Sequence, residues 1–425
     1  MNGLDPKDNH KTTQPTRDCA RSMLINQVLG WWLDNASDTD NGGVYTFLHS
    51  DNITVASTDK YVWAQGRWTW LLARCALLAE AGRLPGLDTD RVRSHALRSA
   101  RFLAEHTTRG GRAVALVSQA GAPKPVVAGD TFHSSIFADL FVALGLSAAA
   151  RLNEDEAWAD QSEQLLRTAM DVISEPSTRT DPLPYIDGYQ SFAPRMIALN
   201  TAIEVFRLRQ SPSARSAVDA LTEEIQSLFV RGTDLAEFAP YRPGLSTELI
   251  ARHRNPGHAL EGLWFLRDVY SSLPGMHERR PLPLEAWGTT AITSTLARAW
   301  DPVEGGLFRY VDKDGGIPRG SLSNESYESS ILSTWDQKLW WPHAEALAAL
   351  EFCDAEDPQI AYWSGLVRSY VFDKFIRPNG DWNKVLDRRG RAVHSEHSAI
   401  APLRDSFHQG RALLLLAVGS ADYAS

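Results

Sequence analysis

Cysteine, net positive charge and long apolar runs are all scarce in this chain, and each scarcity excludes something. Only three cysteines occur, Cys19, Cys75 and Cys353. They are too few and too scattered for a disulfide framework or a cysteine-rich zinc site. Acidic residues outnumber basic ones 52 to 43, for a net charge of −9. That disfavours a nucleic-acid binder, which needs a basic face to displace counterions from phosphates. A small anionic ligand held by one or two arginines stays compatible. No run of 18 apolar residues is present, so no membrane span is expected. Residues 1–18 are polar and lack the apolar segment of a secretion signal. Both absences suggest a reducing cytoplasm. There is no phosphate-cradling glycine loop of the P-loop or dinucleotide type, no Gly-x-Ser-x-Gly elbow and no His-Glu-x-x-His pair. His258-x-x-Glu261, His343-x-Glu345 and His394-x-x-His397 each offer two metal ligands at less specific spacings. No metal and no other cofactor is expected.

What is present is an ordinary globular mixture, 43% hydrophobic and 22% charged over 425 residues. Length alone suggests two or three domains of ~150 residues, unless a closed helical ring absorbs all of it. Fourteen tryptophans stand out, several clustered beside polar residues: Trp31-Trp32, Trp63-Trp68-Trp70 and Trp340-Trp341. Flat rings next to hydrogen-bonding groups suit a ligand with one apolar and one polar face, such as a sugar, although tryptophan equally serves as core.

Residues 1–15 read as a flexible polar tail. Beyond them, helical periodicity predicts twelve helices, near 16–35, 60–82, 90–107, 132–151, 155–175, 190–210, 212–230, 257–274, 284–300, 338–353, 356–374 and 405–420. The longer links repeat a Gly-Gly pattern. Asn41-Gly-Gly-Val-Tyr-Thr-Phe-Leu48 and Glu304-Gly-Gly-Leu-Phe-Arg-Tyr-Val311 are the clear copies, and the stretches from Gly110 and Asn379 are weaker ones. Each can form one arm of a β-hairpin, with glycine supplying positive φ. Two of these links lead to similar helix starts, Lys60-Tyr-Val-Trp-Ala-Gln-Gly-Arg67 and Lys338-Leu-Trp-Trp-Pro-His-Ala-Glu345. Similar units far apart mean a repeat architecture. One helical hairpin cannot bury both faces of its helices, whereas six closed in a ring can. The expectation is all-α: a single (α/α)6 barrel over residues 16–425, with β-hairpins in the loops at one end walling a cavity. An open helical solenoid is the competing arrangement.

Several residues can carry chemistry. In Asn255-Pro-Gly-His-Ala-Leu-Glu261, His258 falls in the first helical turn and Glu261 lies on the same face. They read as a base with the carboxylate that orients it, or as a capping box. His408 again starts a helix; an ordinary imidazole, with a pKa of ~6.5, suits proton transfer, though a surface histidine fits the same pattern. Arg67 lies among Trp63, Trp68 and Trp70 and must be paired or face a wet cavity. It can bind a developing oxyanion. Lys338, Trp340, Trp341, His343 and Glu345 place stacking rings beside a carboxylate, which suits sugar hydroxyls, or else pack the hairpins together.

These stretches, with Pro194-Arg-Met-Ile197, the segment 301–315 and Phe407-His-Gln-Gly-Arg-Ala-Leu413, resemble the N-acylglucosamine 2-epimerase family, especially its renin-binding-protein branch. They follow the family's order from about residue 25 to 420. The resemblance implies an (α/α)6 barrel and an enzyme that moves a proton at C2 of a free sugar. It implies that His258 and His408 are the acid/base pair, that Arg67 faces the reacting oxygens and that Glu261 is an active-site carboxylate. Trp63, Lys338, Trp340, Trp341, His343 and Glu345 are expected around the sugar. The chain departs from the family at Arg404-Asp-Ser-Phe-His408, in the extra segment Ser321–Ser330, which can act as a lid or reshape the pocket, and at Arg195, which can contact an anionic substituent or pair structurally.

The expected reaction is C2 epimerisation of a free aldose or N-acyl-hexosamine through an enediolate. Aldose–ketose isomerisation, of the mannose or sulfosugar type, needs the same groups. An (α/α)6 glycoside hydrolase using Glu261 and Glu345, and a non-catalytic binding protein, are further alternatives. The expected partner is a small sugar, not nucleic acid or membrane, and a homodimer is compatible with this reading.

Overall fold

The computed structural model describes residues 17–49, 54–175, 178–180, 185–273, 284–377, 381–393 and 404–424. The expected tail and the His394/His397 pair lie outside them. Twelve long helices form two concentric layers. The inner helices are Val62–Glu80, Ile136–Asn153, Phe192–Arg209, Pro256–Ser272, Trp340–Glu351 and Phe407–Val418. Each packs on the next, and the last packs on the first, so the ring closes. The outer helices are Thr89–His106, Glu156–Val172, Pro212–Leu228, Leu284–Ala299 and Pro358–Tyr370, with an N-terminal helix running through Arg17–Ser22, Met23–Gly30 and Trp31–Asn35. Five hairpins are continuous in sequence. The sixth pair joins the first described helix to the last inner helix and completes the barrel.

The two layers differ as their sequences require. In Phe192–Arg209 every residue from Phe192 to Val205 is buried. In the outer helix Glu156–Val172 the buried residues are Ala159, Ser162, Leu165, Leu166 and Ala169, one stripe at helical spacing. Ile136–Asn153 is long and apolar enough to cross a membrane by length and composition. It is an inner helix buried in the barrel wall. Its close approach to Val62–Glu80 depends on Gly66, where a Cβ would collide with the Phe141 carbonyl.

Short antiparallel β-ladders precede the inner helices and gather at one end of the ring. Gly110 and Gly111, with φ of 58° and 80°, turn the tight hairpin between Thr108–Arg109 and Arg112–Ala113. Val311–Asp312 instead pairs with His253–Arg254, and Val385–Leu386 with Lys338–Leu339. These non-local pairings tie successive units together.

The duplicated lysine motif has a structural cause. Asp38 Oδ1 accepts the amides of Asp40 and Asn41 (3.1 and 3.0 Å), folding the turn into Gly42-Gly43. Lys60 Nζ then donates to Asp38 Oδ2 (2.7 Å) and to the Gly42 carbonyl (2.8 Å). Asp301 likewise accepts the amides of Val303 and Glu304, and Lys338 Nζ donates to Asp301 Oδ2 (3.4 Å) and to the Gly305 carbonyl. Five residues after each lysine, Gln65 Oε1 and His343 Nε2 accept the amide that follows the second glycine (2.7 and 2.8 Å). Lys338 and His343, expected around the sugar, are therefore pins of a turn; both are fully buried.

Lys60→Met would leave the buried Asp38 carboxylate without its cation. Loss of about 3–5 kcal/mol of stability is expected, read as a lowered denaturation midpoint, with partial recovery when Asp38→Asn is added.

Candidate active site

The starts of the inner helices bring the candidate residues together. Asn255 caps the helix Pro256–Ser272 by accepting the His258 amide (3.4 Å) and Pro256 occupies the first turn. This sets His258 at the end that carries the hairpins. The His258 ring lies 5.1 Å from the Trp341 indole, and His408 lies 5.5 Å from the same indole. Gly257 makes the closeness workable, because a Cβ there would strike the Trp341 ring. Two imidazoles 150 residues apart in sequence thus share one aromatic wall.

Each imidazole is held through Nδ1 by a buried carboxylate. His258 Nδ1 donates to Glu237 Oε1 (2.8 Å) and His408 Nδ1 to Glu345 Oε1 (2.6 Å). Such a bond fixes tautomer and ring orientation and leaves Nε2 as the working nitrogen. Glu345 is further held by the Trp264 indole N–H (2.9 Å) and by Arg411 (2.8 Å), which also pairs with Glu261. Burial pushes the Glu345 carboxyl up. The Arg411 charge and the hydrogen bonds from His408 and Trp264 more than reverse this and hold it well below the usual carboxylate range.

Exposure sorts the groups by what they can touch. The side chains of His258, His408 and Arg67 are 13%, 8% and 15% accessible, whereas those of Glu261, Glu345 and Arg411 are at most 2%. Arg67 donates to Asp405 Oδ2 (2.6 Å) and its guanidinium sits over the rings of Trp63, Phe141 and Phe407 at 4.3–4.9 Å. It is both paired and at the rim of the site.

Several expectations need correction. Glu261 does not orient His258; it balances Arg411 beneath the site. Glu345 does not meet the sugar; it grips His408 from behind. Because both carboxylates bind one buried guanidinium, they cannot flank a glycosidic bond as a hydrolase pair. Arg195 is buried and donates to Glu224 (2.6 Å), Gln190, Ser174 and the Ser191 carbonyl, a structural ion pair. Lys338 and His343 belong to the turn described above. Glu237 was missed, since it sits just before the strand Phe238–Pro240 with no motif around it. Trp340 lies under the Lys384 ammonium, 4.7 Å away. In the segment Ser321–Ser330, the Ser321 carbonyl accepts the Leu249 amide (2.9 Å), and Tyr327 packs on His253 and Phe238 beside Glu237.

The N-acylglucosamine 2-epimerase family model matches residues 42–409. The chain belongs to that family. Within it, the chain is 27% identical to the N-acylglucosamine 2-epimerase of Bos taurus and 24% identical to that of Homo sapiens. Each match spans 92% of this chain and 88% or 87% of the relative. The cellobiose 2-epimerase of Spirochaeta thermophila DSM 6192 has the same fold, with a TM-score of 0.70 at 18% identity over 96% of this chain and 98% of the other. A D-mannose isomerase superimposes with a TM-score of 0.67 at 14% identity, covering 93% and 96% of the two chains.

Burial alone would lower the His258 pKa, but the charge and hydrogen bond of Glu237 more than reverse it and leave the value raised, with Glu261 adding to the rise and Arg67 opposing it. A raised folded-state value contributes stability that is complete below ~6.5 and lost as pH rises through the folded value. Glu237→Gln removes the cause of the rise. The acid limb of the rate profile is expected to move to lower pH, with kcat/KM down roughly 10²–10⁴-fold; steady-state kinetics between pH 5 and 9 measures both.

Proposed function

We propose that this enzyme inverts C2 of a free aldose or N-acyl-hexosamine without a cofactor, using His258 and His408 as two bases. The observation that carries the reading is the pair of imidazoles, each held through Nδ1 by a buried carboxylate, against one indole. The sugar reacts in its open-chain form, whose aldehyde acidifies the C2 proton. Nε2 of one histidine removes that proton, and the C2–H electron pair moves into a planar enediolate. The other histidine, protonated, returns a proton to the opposite face of C2 and inverts it. The first histidine is left protonated and the second neutral, ready for the reverse direction.

Negative charge builds on O1 and O2 as the enediolate forms. The Arg67 guanidinium is the cation placed to meet it, and its orientation is supported by Asp405 and by three flanking rings. The inner helices add a second source of positive potential. Both histidines sit in the first turn of their helices, where unpaired amides and the macrodipole favour an anion. Slight accessibility of all three groups means that a bound sugar excludes most water, which strengthens these charges. Trp341 supplies a flat face for the carbon skeleton.

Incubation with free aldoses and N-acyl-hexosamines in D2O tests this. Deuterium is expected at C2 of an epimer; a ketose product would reassign the enzyme to aldose–ketose isomerisation. His258→Asn and His408→Asn are each expected to slow epimerisation ~10²–10⁴-fold. Each variant should retain C2 exchange from one epimer only, and the two should differ in which. Retention of full epimerisation by either variant would sink the two-base reading.

A further inference from the structure

The charges around the site are nearly all matched. Arg67 is paired with Asp405, Arg411 with Glu261 and Glu345, His258 with Glu237 and His408 with Glu345. Lys384 is the exception. Among the described residues it has no ion pair; its ammonium makes only long contacts, to the Gln409 amide oxygen (3.4 Å) and the Asp405 carbonyl (3.5 Å), above the Trp340 ring. The two acids in its field are already engaged. Asp405 holds Arg67 at 2.6 Å, and Asp381 faces Arg404 at 3.5 Å and Arg377 at 3.9 Å.

Its position is set by the backbone. The Lys384 carbonyl accepts the Trp340 amide (3.2 Å), one residue before the Val385–Leu339 ladder pair. Lys384 therefore stands at the start of the helix that carries Trp341 and Glu345. Gln409, on its other side, follows His408 directly. The ammonium is thus wedged between two inner-helix starts, both of which present positive potential at the site. Three like-signed influences, with no acid in ion-pair contact among the described residues, make a cationic corner. Burial pushes the Lys384 pKa down to about 8, the response of a cation taken out of water without enough compensation, although Asp381 and Asp405 oppose the fall.

We propose that Lys384 selects a sugar bearing an anionic substituent, a carboxylate, sulfonate or phosphate, by supplying the counter-charge that the rest of the site has already spent on itself. This rests on the sugar-isomerising reading for the place of the ligand, though not for the reaction it undergoes. A charge-assisted contact of this kind favours the acidic sugar about tenfold or more. A compact ammonium accepts all three anions, and the geometry around Trp340 decides among them.

The test compares D-glucose with D-glucuronate, D-glucose 6-phosphate and 6-deoxy-6-sulfo-D-glucose on the full chain, by calorimetric Kd and by C2 exchange in D2O. At least one acidic sugar should bind about tenfold or more tightly than glucose. Lys384→Met should collapse that ratio and Lys384→Arg should keep most of it, with far-UV circular dichroism verifying the fold of both. The proposal is overturned if no anion is preferred, if nothing binds, or if the preference survives Lys384→Met. Preferential binding with no exchange from any sugar would sink the epimerase reading and keep this one. Exchange without preference would do the reverse.

Discussion

Arg411 is the interaction on which the rest of the site depends. Its guanidinium is buried in the middle of the ring and binds carboxylates from two neighbouring inner helices, Glu261 and Glu345. Three of the six inner helices are thereby joined by one cation. A buried charge is tolerable only when it is paired and hydrogen-bonded. This one is met by two acids, and one of those acids passes its remaining hydrogen-bonding capacity upward to His408. The chain of contacts from Arg411 through Glu345 to His408 makes the His408 imidazole part of the barrel core. Its orientation is then as rigid as the packing beneath it.

His258 is built differently. Its carboxylate comes from Glu237, on the loop side of the ring, and among the described residues Glu237 has no ion pair with an arginine. The two imidazoles therefore have unlike surroundings, one anchored to the core and one to the hairpin layer. Such asymmetry is what an enzyme acting in both directions on two epimers can use, since the two faces of C2 present different groups. Tyr327, in the segment Ser321–Ser330, packs on Phe238 and His253 in the hairpin layer next to Glu237.

The hairpin layer is held by its own repeated device. Asp38 with Lys60 and Asp301 with Lys338 pin two Gly-Gly turns in the same way, and Gln65 and His343 close them. The resemblance between these segments was visible as sequence, but its meaning was not. Lysine, tryptophan and histidine at a helix start look the same whether they bind sugar or hold a turn. The difference is in the partners: Lys338 is closed off by Asp301 and backbone carbonyls, whereas Lys384, within the weak glycine-pattern copy from Asn379, keeps an incompletely matched charge. Arg195 shows the same ambiguity, resolved by Glu224 from the adjacent outer helix.

Local pattern alone determined the twelve long helices and their approximate limits, because burial on all sides or along one stripe leaves its period in the order of residues; the nine-residue helix Ser326–Thr334, which buries only Glu328 and Ile331, left no such period. It also determined that His258 and His408 start helices, because Asn-Pro-Gly and Ser-Phe-His punctuate the chain locally. Tertiary structure decided which carboxylate serves which imidazole. Glu237 lies 21 residues from His258 and Glu345 lies 63 from His408, and only the packing of neighbouring units sets those distances. Partnership between charges depends on separation in space and on exclusion of water, and neither quantity is written in residue order.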